Sequence, residues 1–168
     1  MKKPLARYAG VIGIICLLLA FASAQSAATS PDPNQELRAR FSKALGIDVD
    51  RIVQHYYLVK NGGVVELAAK DPADTAAVDA IRKFLVEQRK LYEKGKNETD
   101  ADVHGKVPDG LPLIKKYRDE ITFLAADTSN GAVLRMFSMN PTARSAIQDY
   151  MKFQIAEHKT GDSPTINQ

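Results

Sequence analysis

Between residues 34 and 162 the apolar positions change period twice, in the same order each time. Ile52 to Val59 and Val64 to Ala69 are short apolar runs on either side of Asn61-Gly62, the dipeptide that most strongly signals a hairpin. Asp71-Pro72 ends the second run, since proline cannot continue a paired strand. From Asp74 to Tyr92 the spacing turns helical: Val78, Ile81, Phe84, Leu85 and Leu91 share one stripe, and Gly95 stops it. Upstream, a short helix is predicted from about Asn34 to Leu45, with Leu37, Phe41, Ala44 and Leu45 on one face and Gly46 as its stop. Residues 93–110 are charged and rich in Gly, Asp, Asn and Lys, which predicts an exposed connection.

The hairpin-helix pattern then recurs. Asp50, Ile52, Asn61, Gly62, Val64 and Pro72 match Asp119, Ile121, Asn130, Gly131, Val133 and Pro141 at one constant offset. These are turn, strand-start and helix-start positions, where backbone geometry restricts residue choice. The helices match at a slightly shorter offset, Ile81 with Ile147 and Gln88 with Gln154. The second helix is expected from about Thr142 to Lys159, with Ala146, Ile147, Tyr150, Met151 and Gln154 inward. One hairpin is marginal alone. Two ββα repeats (about 50–95 and 117–160) therefore predict an α+β fold: a four-stranded antiparallel sheet with two long helices on one face, plus the short N-terminal helix. The expected layout is 1–24 signal peptide, 25–33 flexible linker, 34–162 single domain, and 163–168 tail.

Residues 1–24 read as a secretory signal. Lys2 and Lys3 precede an apolar run from Val11 to Phe21, and Ala22-Ser23-Ala24 forms a cleavage site. The run is about a dozen residues, short of the roughly 20 a membrane span needs. The signal holds Lys2, Lys3 and Arg7 and no acid, so cleavage takes 23 basic against 20 acidic residues to 20 against 20. A neutral mature chain disfavours nucleic-acid binding. The single cysteine, Cys16, leaves with the signal, so no disulfide, thiolate metal site or cysteine nucleophile is expected. The expected destination is periplasmic or secreted, with no stable membrane span after cleavage.

The second unit, with D-E-I, D-T-S-N-G-A-V, M-N-P and A-I-Q-D-Y, resembles a group of small bacterial proteins built from two hairpin-helix units. Val103-His104-Gly105 with Pro108 and Gly110 is similar to a V-H-G-x-x-P-x-G connection in an exported subset of that group. Phe153 to Asp162 is similar to the subset's F-Q-x-x-E-H-x-T-G-D tail. The resemblance spans roughly Asp50 to Asp162, and what it implies is architecture and export. Some members carry the label aspartate carbamoyltransferase. That activity needs about twice this length in two α/β domains and a Ser-Thr-Arg-Thr loop at a helix N-terminus for carbamoyl phosphate; this tetrapeptide does not occur here. Where the wider group places histidines before the hairpin and in the helix, this chain has Tyr117 and Tyr150.

Candidate ligand-binding residues are Gln88, Gln154, Glu157 and His158. The two glutamines are equivalent positions on buried stripes, and a buried amide needs a partner. Gln154, Glu157, His158 and Gly161 share one helix face. The same tail also reads as a helix end, with His158 and Lys159 at the negative pole of the dipole and Gly161 as the left-handed residue. The metal candidates are His55, His104 and His158, from three separate elements and without a local pair at ligand spacing. His55 is expected on a half-buried strand and His104 in the exposed connection. No catalytic motif is present.

Three readings stay open. The first is a non-enzymatic binding or accessory module of the cell envelope, with an unknown ligand, metal- or redox-related chemistry among the options, or an envelope protein as partner. The second is a small periplasmic enzyme with its site between the helices. The third is a structural interaction domain, such as a homodimer, pairing through a sheet edge or face.

Overall fold

The structure, a computed structural model, describes residues 32–167. The expected signal and cleavage site, Cys16 and most of the expected linker lie outside them. Helix α1 (Pro33–Leu45) starts on Asp32, whose carboxylate accepts from the Asn34 N–H at 3.0 Å. Strands β1 (Ile52–Val59) and β2 (Gly62–Ala69) form the first hairpin and lead into helix α2 (Thr75–Glu93). Helices α3 (Glu98–His104) and α4 (Leu111–Lys116) follow. The second hairpin, β3 (Thr122–Thr128) and β4 (Gly131–Phe137), leads into helix α5 (Pro141–His158). A two-residue strand β5 (Ile166–Asn167) runs parallel to β1, and the sheet order is β3-β4-β2-β1-β5.

The predicted α+β architecture holds: β1 to β4 are antiparallel, with both long helices on one face. The internal repeat extends to the register. Gly62 pairs with Phe137 and Gly131 with Ala68, two pairs that exchange under the repeat. The hydrogen bonds from Ser138 N–H to Asn61 O (2.9 Å) and from Ala69 N–H to Asn130 O (2.8 Å) exchange in the same way. The two-residue loops are Lys60-Asn61 and Ser129-Asn130, so both glycines sit inside strands. The cause is close approach. A Cβ at Gly62 would stand 2.0 Å from the Met136 carbonyl oxygen, and one at Gly131 would stand 2.1 Å from that of Leu67.

The helices are crossed over the hairpins. Helix α2 packs mainly on β3 and β4, and α5 packs on β1 and β2. Each hairpin therefore hides its apolar face under the other unit's helix, and one core runs through both. Ile81, Leu85, Ile147, Tyr150 and Met151 are buried as expected, whereas Phe84 is half-buried and Ala44 is exposed. Tyr92 takes the buried place at the end of the α2 stripe. Asn140 and Asp74 cap the long helices through their side chains, as their residue types favour.

The connection read as exposed is not. Residues 93–110 contain α3 and the turn into α4, and they bury Asn97, Val103 and His104. The V-H-G-x-x-P-x-G stretch packs this arm. Arg40 Nε donates to the Val103 carbonyl at 2.7 Å, Pro108 is fully buried, and Gly110 passes so close to α5 that a Cβ would stand 2.1 Å from the Ala146 carbonyl oxygen. Among the described residues, no helix is long and apolar enough to cross a membrane.

Candidate functional site

Three helices each bring residues four apart onto one inward face: Gln88 and Tyr92 from α2, Asp100 and His104 from α3, and Tyr150, Gln154 and His158 from α5. Spacing of four aligns side chains one turn above another, so the three sets converge. They enclose a cavity of about 40 Å³, floored by Leu67 and Leu134 of the sheet and closed by Tyr56 of β1 and Phe41 of α1. That is room for about three waters.

At one end Asp100, Tyr92 and Tyr150 form a closed triangle. The Tyr150 hydroxyl lies 2.6 Å from Asp100 Oδ1, the Tyr92 hydroxyl 2.8 Å from Oδ2, and the two hydroxyls 2.8 Å from each other. Counting protons decides what this arrangement prefers. An ionised Asp100 leaves two protons for three short contacts, and a protonated one supplies three for three. Burial accordingly pushes the Asp100 carboxyl up to about 6, against the pull of the Tyr150 and Tyr92 donors. Burial and the neighbouring Asp100 hold both tyrosines well above their ordinary range.

At the other end sit the two imidazoles, with ring centroids 5.0 Å apart and edge to face. His104 Nε2–H donates to Gln154 Oε1 at 3.1 Å. Its Nδ1 is then a bare lone pair, fully buried and without a partner among the described residues. His158 stacks on Tyr56 at 5.6 Å and meets the edge of Phe41 at 5.4 Å. Burial lowers His104 below its ordinary value. Burial, with the neighbouring His104, takes His158 down to about 3. Both rings are neutral at physiological pH.

The sequence expectations divide here. Gln88, Gln154 and His158 do line one cavity. Glu157 does not: it faces outward and pairs with Lys106 Nζ at 2.9 Å. Of the metal candidates, His104 and His158 come together and His55 does not. His55 projects from the opposite face of the sheet, where Nδ1 lies 2.9 Å from Asp162 Oδ1. Among the described residues no three His, Cys, Asp or Glu side chains are placed to hold a metal ion. Two neutral imidazoles have suitable donor chemistry, but no third ligand of that kind joins them.

The tail motif is also redistributed. His158, half-buried and neutral, is not a cationic cap, and the left-handed residue that ends α5 is Lys159. Asp162 latches the tail to β1: Oδ2 accepts from the Tyr56 N–H at 2.9 Å and from the Thr160 hydroxyl at 2.7 Å. Burial opposes its charge, yet these donors and His55 hold its carboxyl below the usual range. The cavity residue that the sequence reading missed is Asp100. The start of its short helix was legible, with Asn97 at the N-cap and Glu98 and Asp100 as acidic first-turn residues.

Comparison with protein-family models, with curated proteins and with solved structures returns no match.

Proposed function

We propose that this chain is an exported, non-enzymatic binding module of the cell envelope. On this reading its internal cavity takes a small ligand through a hydrogen bond donated to His104. One observation carries the reading: His104 is 7 % exposed and lines the cavity, and its Nδ1 has no partner among the described residues. Leaving a buried polar atom unpaired costs about 1–3 kcal/mol, and such atoms are rare in folded proteins. A donor from outside the chain removes that cost. The cavity also abuts a surface groove between α1, α2 and α3. Phe84, Gln88, Thr99 and Val103 line both, so the groove is the approach by which a larger ligand would reach His104. The expected ligand class is a small neutral molecule with a hydroxyl, amine or amide N–H at its leading end.

One observation favours a small enzyme as second reading: a carboxyl with its proton affinity raised to about 6 borders the same cavity, as a general acid requires. Both Asp100 oxygens are already held by tyrosine hydroxyls, which favours a positioning role and places binding first. Export is part of the same proposal, as is kinship with the exported group that the motifs resemble. A mature mass starting at Gln25 in fractionated cells supports export, and intact Met1 overturns it.

The binding test uses the imidazole nitrogens. Purified protein is titrated with a panel of small alcohols, amines and amides, and then with divalent copper, zinc and haem, while ¹⁵N shifts of His104 and His158 are followed. The expected result is that one class moves the His104 Nδ1 resonance and that His104→Phe, with its fold intact, abolishes the response. If every probe leaves both imidazoles unmoved, the reading is wrong.

A further inference from the structure

Among the described residues, no helix covers the sheet face away from α2 and α5. Side chains alternate along a strand, and with the inward set buried, the outward rows follow from the register: Tyr57, Val64, Arg135 and Leu124 across one level, and His55, Glu66, Val133 and Ala126 across the next. Leu124 is 50 % exposed and Val53 39 %, while Tyr57, Val64, Val133 and Phe137 are half-buried. The face is therefore largely apolar, with His55 on its β1 edge and one acid and one base, Glu66 and Arg135, near its middle on the two central strands.

Those two charges occupy equivalent places. Glu66 and Arg135 stand at the offset that matches Gly62 with Gly131 and Val64 with Val133, so the internal pseudo-twofold between β2 and β4 exchanges an acid for a base. Neither makes an ion pair among the described residues, although diagonal neighbours on adjacent strands lie within reach of long side chains. Equivalent positions of opposite charge make the face self-complementary. When a second copy is laid face to face about a dyad in the interface plane, perpendicular to the Glu66–Arg135 line, each Glu66 falls over the mate's Arg135. Both crossed pairs then form at once, as an isologous interface requires.

We propose that this open sheet face is a homodimer interface, in which apolar rows from two copies pack together and two crossed Glu66–Arg135 pairs set the orientation. Four strands about 4.8 Å apart and seven or so residues long give a flat footprint of roughly 500 Å² per copy. Side-chain relief adds to this, and specific interfaces bury about 800 Å² per partner. A dimer of this size dissociates on dilution. It leaves the cavity, on the other side of the sheet, free to bind, so it stands independently of the binding proposal.

The test is sedimentation velocity over a concentration series, with circular dichroism as the control for folding. The wild-type chain is expected to show a monomer–dimer equilibrium. Glu66→Arg and Arg135→Glu each place two like-charge pairs in the interface and are expected to weaken association by about a hundredfold or more. The double exchange, Glu66→Arg with Arg135→Glu, is expected to restore it. Leu124→Asp, at a half-exposed position, is an independent disruption that does not depend on the charge variants folding. A monomer at every concentration overturns the proposal. So does a dimer indifferent to Leu124→Asp or to the single reversals, which places the contact elsewhere. Loss in both single variants without recovery in the exchange overturns the crossed pairing.

Discussion

Tyr150 holds Asp100 by a 2.6 Å hydrogen bond that joins the second unit's helix to the short arm between the units. Burial, opposed by this hydrogen bond, makes the carboxyl harder to ionise folded than unfolded, about 6 against 3.8. The folded state therefore binds the extra proton between those values. Its contribution is fully present below about pH 4 and is lost as pH rises through about 6, a difference of roughly 3 kcal/mol. Asp100→Asn cannot ionise. Denaturant unfolding of the two proteins from pH 4 to pH 7 is expected to show the wild type losing about that much relative to the variant. Tyr150→Phe removes a donor that favours the charged form, so the Asp100 carboxyl ¹³C titration is expected to move above its wild-type midpoint. An unchanged midpoint would mean that the triangle does not govern this proton.

His158 works in the opposite direction. Its folded value of about 3 lies below the ordinary 6.5, so the unfolded chain binds protons that the folded chain refuses. Stability from this ring is complete above about pH 6.5 and falls as pH drops toward 3, by roughly 3–5 kcal/mol. His158→Phe keeps a flat ring against Tyr56 and Phe41 and cannot charge. The variant is expected to resist acid unfolding between pH 6 and pH 4 better than the wild type. An acid transition at the same pH in both proteins would place the sensitive group elsewhere.

The glycines divide by what surrounds them. Gly62 and Gly131 lie against backbone carbonyls of neighbouring strands, and backbone cannot step aside as a side-chain end can. Alanine at either is expected to cost at least the 1–3 kcal/mol typical of overpacking, and both should cost alike because the repeat makes them equivalent. Gly161, with φ of +81 and nothing within 4 Å of a built Cβ, pays only conformational strain, about 1 kcal/mol for alanine. Unfolding midpoints of the three variants order these effects, and a Gly131→Ala protein as stable as Gly161→Ala removes the close-approach account.

Periodicity made most of this molecule legible. Ile52 to Val59 and Val64 to Ala69 are apolar runs around a turn dipeptide, Val78 to Leu85 follows a helical stripe, and the repeat marks the two hairpins as equivalent. Helices α3 and α4 escaped because seven and six residues span too few turns for a stripe, and because what they bury is interspersed with Gly, Asp and Lys. The same arithmetic explains the site. Gln88, Gln154 and His158 follow from the stripes of long helices. Asp100 finds its partners 8 and 50 residues away, and no local pattern encodes that. Glu157 was misread because adjacent helical positions differ by about 100° in direction, enough to turn it to the Lys106 side of α5 while His158 faces inward.

Asp162 supplies the remaining test. The Tyr56 N–H points away from β2, toward the side of β1 where β5 pairs only with Leu58 and Val59. An unpaired N–H at a sheet edge invites pairing with another chain. The Asp162 carboxylate occupies that place at 2.9 Å and spans to His55 and Thr160, so a side chain stands where a strand carbonyl would. Asp162→Ala should leave the helices and the hairpins in place and cost about 1–3 kcal/mol, the range for a hydrogen-bonded charged group. Its distinguishing mark is local. Amide exchange at Tyr56 and at residues 165–167 should accelerate together, because one latch holds them, while β2 and β4 at the centre of the sheet keep their protection. If Tyr56 stays protected in the variant while residues 165–167 exchange freely, the edge is closed by something other than Asp162, and the tail is merely resting on it.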